Sequence, residues 1–231
     1  MTATLPATLS ATPSAALAAT LSTTAPADPP PAGAATPGPP ADAPSGASPP
    51  GPVAVAAGSD WEVGGQFPAV AAAADGALVL RRAEARWALA GLAPGPAYTA
   101  SVATTFASGA GFGVLLGVAR DAHGRIDGIS VDVDPFEAGG GIVVRRWVGG
   151  HRHWRPLVVA PVPDPAALFG AHALDITVGP AAIVAVLDGA EVLRAPRPLA
   201  GGCDPLPGDR IGVHAWASTE VRVERLAVVA A

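Results

Sequence analysis

Between Asp132 and Glu137 the chain places three carboxylates in the segment Asp132-Val133-Asp134-Pro135-Phe136-Glu137. Paired carboxyl groups are what hydrolysis of a glycosidic bond requires, about 5–5.5 Å apart when one acts as nucleophile. The competing reading is structural: Asp132 and Asp134 are solvent-side strand residues, and Asp134-Pro135 ends the strand because proline cannot donate to a sheet ladder. A second cluster follows at Arg145, Arg146, Trp147, His151, Arg152, His153, Trp154 and Arg155, positive, aromatic and without an acid. Its chemistry is recognition. Guanidinium forks hold anionic groups and indole rings offer stacking platforms, to which Trp216 adds a further one. Here the structural reading is a solvated hairpin with one tryptophan turned into the core. His151 and His153 face the same way on a strand. Zinc needs three or four ligands, however, and nothing in the sequence brings His172 or His214 to them, so no metal site is assigned.

The elements that must position these residues are strands. Beyond Val55 short runs rich in Val, Ile and aromatics are separated by Gly, Pro and Asp, the pattern of an all-β domain with hardly any helical periodicity. Predicted strands include Ala97–Phe106, Gly111–Ala119, Gly128–Asp134, Gly141–Val148, Trp154–Ala160, Ala173–Val178, Ala182–Leu187, Arg210–Trp216 and Val221–Val229. Alternation puts Tyr98, Ala100, Val102, Thr104 and Phe106 on one face. In the last strand the face carrying charge changes between Val223 and Leu226. Asp188-Gly189 predicts a type I′ hairpin, and Gly149-Gly150 a second, longer one. The glycine run Gly139-Gly140-Gly141 leads into a strand and is turn material, so no nucleotide cofactor is implied.

Residues 1–54 are different in kind. They hold 13 of the 26 prolines, no basic or aromatic residue, and only Asp28 and Asp42 as charges. Such a Pro/Ala/Thr-rich segment has nothing to bury and is expected to be a disordered tail or linker ahead of one domain at 55–231. No run of about 20 apolar residues predicts membrane insertion. All fourteen basic residues are Arg and the net charge is −5, which gives no support to nucleic-acid binding. Cys203 is the lone cysteine, so no intrachain disulfide forms. The stalk-like tail points to an extracellular or cell-surface location. The start nevertheless lacks the basic and continuous apolar regions of a signal peptide, which leaves a cytoplasmic location open. Oligomeric state is not legible.

The order of several pieces resembles the concanavalin A-like lectin/glucanase superfamily, in its laminin-G-like branch. They are Gly111-Phe112-Gly113-Val114-Leu115-Leu116, Ile129 to Pro135, Gly141 to Trp147, the Asp188-Gly189 hairpin, and Ile211 to Thr219 with its Trp-x-Ser-Thr ending. The resemblance implies a two-sheet antiparallel jelly-roll sandwich whose sheet face or loop edge binds carbohydrate. It also implies a motif, because Asp132, Asp134 and Glu137 reproduce the spacing of the Glu-x-Asp-x-x-Glu signature of laminarinase-type glycoside hydrolases. Two departures weaken it: Asp132 stands where that signature has Glu, and Pro135 interrupts the strand. Calcium is the one cofactor the resemblance suggests, through Asp121, Asp127 and Asp204. The expected function is therefore a non-catalytic module for carbohydrate or a cell-surface polymer, contacting it through Arg145, Arg146, Trp147, His151, His153, Trp154 and Trp216. The alternatives are a glycoside hydrolase using Asp132 and Glu137, and a structural accessory domain without a small ligand.

Overall fold

The computed structural model describes residues 53–55, 61–64, 70–72, 75–83, 86–92, 95–199 and 206–231. The expected tail up to residue 52, Cys203 and Asp204 lie outside these. In chain order the described strands are β1 (Val53–Val55), β2 (Glu62–Gly64), β3 (Val70–Ala72), β4 (Leu78–Ala83), β5 (Arg86–Leu92) and β6 (Tyr98–Ser108). They continue with β7 (Gly111–Arg120), β8 (Ile126–Asp134), β9 (Gly141–Val148), β10 (His151–Arg152), β11 (Val158–Pro161) and β12 (Gly170–Val178). The last four are β13 (Ala182–Leu187), β14 (Ala190–Pro196), β15 (Arg210–Trp216) and β16 (Thr219–Ala230). Short 3-10 turns at Glu137–Gly139 and Pro165–Leu168 are the only helical segments described, and no described helix is long and apolar enough to cross a membrane.

Two antiparallel sheets form a sandwich. The first runs β14-β13-β12-β6-β16-β4-β3 with β1 on β16, and the second β10-β9-β8-β7-β15-β5-β2 with β11 on β9. Between them lie the inward rows of both sheets, including Tyr98, Val102, Phe106, Phe112, Val114, Val131, Val133, Ile142, Val144, Ile176 and Val213. Phe106 stacks on Phe169 at 4.6 Å and meets Phe112 edge-on at 5.4 Å. The alternation expected for Tyr98 to Phe106 is found, every second residue being buried.

Local chemistry sets the turns. Asp188 and Gly189 both have positive φ (50° and 84°), as a type I′ turn requires, and Leu187 pairs directly with Ala190. Gly149 and Gly150 do the same (59° and 84°) with Val148 paired to His151, so this hairpin is as tight as the other and not longer. In β16 a bulge between Val223 and Arg225 explains the change of charged face: the extra residue resets the alternation, and Leu226 and Val228 turn inward after it. The expected strand Trp154–Ala160 begins only at Val158. Pro156 has no N–H to give, and the carbonyls of His153 and Trp154 turn instead toward the guanidinium of Arg145.

Candidate functional site

The site lies on the outer face of the second sheet. Ile129, Val131 and Val133 of β8 point into the sandwich, so Ser130, Asp132 and Asp134 project the other way. In β9 the same alternation sends Ile142 and Val144 inward, and Val143, Arg145 and Trp147 outward. β15 contributes His214 and Trp216, and the hairpin strand β10 contributes Arg152, which pairs with Trp147.

Arg145 is the hub. Its guanidinium contacts the carboxylates of Asp132 (3.6 Å), Asp134 (3.5 Å) and Glu137, and donates to the carbonyl of Trp154. Asp132 has no exposed surface. Its Oδ1 meets His214 Nε2 at 2.8 Å, and its Oδ2 accepts from Arg152 Nη1 at 3.0 Å. Arg152 in turn lies over the Trp216 ring, its guanidinium carbon 3.6 Å from the centroid. His214 stacks on Trp216 at 5.2 Å and takes the edge of Trp147 at 5.0 Å. Trp147 donates its indole N–H to Ser130 Oγ at 3.1 Å. Asp134 Oδ1 accepts from the N–H groups of Phe136 and Glu137, which turns the chain after Pro135 and brings the Glu137 carboxylate back to Arg145.

Glycine makes room for this. A Cβ on Gly113 would sit 2.6 Å from His214 Nε2 and closer still to Asp132 Oδ1, and one on Gly111 would enter the Trp216 ring. The alternating glycines of Gly111-Phe112-Gly113 thus leave a furrow in β7 in which the β15 side chains lie. The turn behind Trp216 is stitched to the same strand, since Thr219 Oγ1 donates to the Gly111 carbonyl at 2.9 Å and accepts from the Gly111 N–H at 3.1 Å.

The electrostatics follow from burial. Desolvation pushes Asp132 upward, but the His214 contact, the Arg152 charge and the Ser130 hydroxyl outweigh it and hold the carboxyl below the usual carboxylate range. Desolvation drives His214 below the ordinary imidazole value; Asp132 pulls it the other way without reversing the shift. His214 is therefore neutral, donating from Nε2, and its buried Nδ1 has no partner. For both groups the native pKa lies below that of the unfolded chain, which takes up protons first as the pH falls. Stability present at pH 7 should decline below about pH 6.5 through His214, and again below about pH 4 through Asp132. Urea unfolding from pH 8 to 3 checks this, and His214→Gln should flatten the first decline and, by removing the contact that does most to hold Asp132 low, shrink the second. An unchanged first decline in that variant would contradict the assignment.

The structure splits the sequence cluster in two. Arg145 and Trp147 are buried, so neither presents a surface to a ligand, and the expectation that Trp147 is a stacking platform is corrected: its ring fills the sheet face beside Trp87, Leu89 and Leu115. Arg146 is half-buried on the opposite side of β9, and His151, paired with Val148, shares that side. His153 is exposed, Trp216 half-buried, and Trp154 is 83% exposed. The acid–base expectation also changes. Asp132, Asp134 and Glu137 do converge, but on Arg145, and both oxygens of the would-be nucleophile Asp132 are occupied by buried partners. His172 is held by Asp188 at 2.7 Å on the first sheet, away from His214. Of the calcium candidates, Asp121 accepts from the N–H groups of His123 and Arg125 and pairs with the Arg125 side chain, while Asp127 accepts from the Gly149 N–H. Arg152 belongs to the expected recognition cluster, whereas His214 and the 68% exposed Phe136 lie outside the expected ligand contacts. The signal for His214 was the Gly-x-Gly of β7, which implies a bulky outward neighbour.

No family model matches the chain, and no curated protein matches it by sequence. Solved structures do. The carbohydrate binding module CBM66 from Bacillus subtilis superposes with a TM-score of 0.51 at 13% identity, covering 79% of this chain and 98% of that one. A Bacillus subtilis protein of unknown function with a galectin-like fold gives 0.53 at 14% identity, over 79% and 97%. The carbohydrate recognition domain of Emp46p in its potassium-bound form gives 0.50 at 12% identity, over 74% and 88%. At these identities the likeness is one of fold alone: the two-sheet antiparallel β-sandwich is shared with these domains.

Proposed function

We propose that the protein is a non-catalytic carbohydrate-binding module whose ligand lies on the outer face of the second sheet, against Arg152, Trp216 and Trp154. The observation that carries this reading is the Arg152–Trp216 pair, pinned from beneath by buried Asp132, with the 83% exposed Trp154 two residues along the chain from Arg152. A buried ion network that leaves an oriented guanidinium and aromatic rings at the surface is preorganised for a polar ring with an apolar face, which is what a sugar presents. Trp154 and Phe136 are the most exposed large apolar side chains described. Both are tied to the same hub, Trp154 through its carbonyl on Arg145 and Phe136 through its neighbour Glu137. The likeness to two carbohydrate-binding domains supports the same reading. The order of the β7, β8 and β15 segments supports placing the domain in the laminin-G-like branch, and the composition of residues 1–54 supports a stalk that displays it at the cell surface.

Tryptophan fluorescence of the full chain, titrated with a panel of neutral and anionic polysaccharides, tests the proposal, with a reducing-sugar assay on the same samples. The expected result is a saturable spectral change without product. Trp154→Ala should lower the affinity about tenfold, equivalent to about 1.4 kcal/mol, and leave the unfolding midpoint unchanged. Binding unaffected by both Trp154→Ala and Arg152→Ala would place the ligand elsewhere, and release of product would replace the binding module with an enzyme.

A further inference from the structure

Two guanidiniums stand beside the Trp216 end of the outer face, and carboxylates of the same sheet meet the charge of each. Arg145 is 2% exposed and faces Asp132, Asp134 and Glu137, so it braces the face and reaches no ligand. Arg152 is the one that solvent reaches, with 19% of its side chain exposed. Its Nη1 donates to Asp132 Oδ2 at 3.0 Å, and among the described residues that carboxylate is its one acceptor. The remaining N–H groups of Arg152 therefore have no protein partner, while stacking on Trp216 holds their plane. His214 is neutral and adds no charge. With exposed Arg155, the next cation along the chain, three guanidiniums stand against three carboxylates. Arg120 and Arg210, at the β2 end of the face, share the Glu62 carboxylate instead.

Burial decides what Arg152 can recognise. Asp132 has no exposed surface, so it depends on the cations that face it and cannot turn to water if one is drawn away. A carboxylate or sulfate on Arg152 would share that cation with the buried carboxylate and bring a fourth negative charge to a cluster already in balance. The net charge of −5 on the whole chain opposes a polyanion at longer range as well. What Arg152 has left to give is oriented N–H groups whose charge is already met. A sugar hydroxyl or ring oxygen accepts from them and brings no charge of its own, and the guanidinium fork fixes the direction of approach.

Resting on the carbohydrate reading of this face, we infer that the site selects neutral sugars and rejects uronic acid and sulfated ones, with Arg152 acting as an oriented hydrogen-bond donor and not as a counter-ion. Calorimetric titration of the full chain tests this with polymers matched in backbone and differing in charge: dextran and dextran sulfate, hydroxyethyl cellulose and carboxymethyl cellulose, inulin and inulin sulfate. Each is run at low salt and at about 0.5 M, where surface charges are screened. At least one neutral polymer should bind with a Kd that salt changes by less than about twofold, and its charged counterpart should bind about tenfold more weakly or worse. Arg152→Lys keeps the charge and loses the fork, so it should bind the neutral polymer as weakly as Arg152→Ala does. The polymer pairs need only the native chain, whatever the variants do to folding. Tighter binding of a charged member, lost as salt rises, overturns the inference and leaves the binding-module reading standing, as does native affinity in Arg152→Lys alone. If no polymer binds, or if Arg152→Ala keeps native affinity for the one that does, the inference and the placement of the ligand on this face fall together.

Discussion

Replacing Arg145 by Met is expected to lower the unfolding midpoint at pH 7 by on the order of 10 °C, the largest effect of any single side-chain change considered for this domain. Removing one partner of a buried ion network costs about 3–5 kcal/mol, because the charges left behind are neither solvated nor paired. At this chain length each kcal/mol moves the midpoint by about 2–4 °C. Arg145 faces three carboxylates, two of them buried, and also takes the Trp154 carbonyl. Without it Arg152 alone opposes Asp132, and the 153–157 bulge loses its anchor. Arg145→Lys should rescue only part of the loss, since one ammonium cannot span three carboxylates and a carbonyl as a planar fork does. The matched control is Arg155→Met: Arg155 is exposed, and a surface change of this kind shifts stability by about 0.5 kcal/mol or less. Equal midpoints for the two Met variants would show that the network does not hold this face together.

Gly113→Ala should be the second most damaging change, at about 2–4 kcal/mol. The added methyl would press on Asp132 Oδ1 and His214 Nε2 together and on the Val131 carbonyl at 3.0 Å, so the pair must separate inside a sheet that cannot move apart. The buried carboxylate then loses its imidazole donor, and because Asp132 is what pulls the His214 pKa upward, the decline in stability that starts below about pH 6.5 should extend to lower pH. Gly179→Ala is the control. A Cβ there meets only the Ala182 carbonyl, at an ordinary 3.4 Å, and the change should be close to neutral. If chemical denaturation finds the two alanine variants alike, the furrow in β7 is not what seats the site.

Strand positions were legible because each rests on local chemistry. The Tyr98–Phe106 row shows its buried face in the residue types, Asp188-Gly189 can adopt the positive φ angles of its turn, and Asp134-Pro135 ends β8 where proline removes the donor. The bulge in β16 was foreshadowed by charges changing face. Three-residue strands such as β2 and β3 left no pattern, for they are too short to show a period. The candidate site was half legible. The acidic and the basic-aromatic segments each stood out, but as two rival sites, one hydrolytic and one for binding. In the fold they are one network, because β8 and β9 are neighbours and their outward rows interlock.

The sequence by itself determined an all-β sandwich, the positions of its hairpin turns, and the two segments that supply much of the site face, since period two and turn chemistry act within a few residues along the chain. Only the tertiary structure decided which of those side chains meet a ligand. Trp147 and Trp154 are alike in sequence, yet one is sealed beneath the sheet face by neighbours from β5, β7 and β15 and the other stands free on a bulge that Arg145 holds. Exposure is a property of what packs from distant strands, and that information is not stored near the residue it governs.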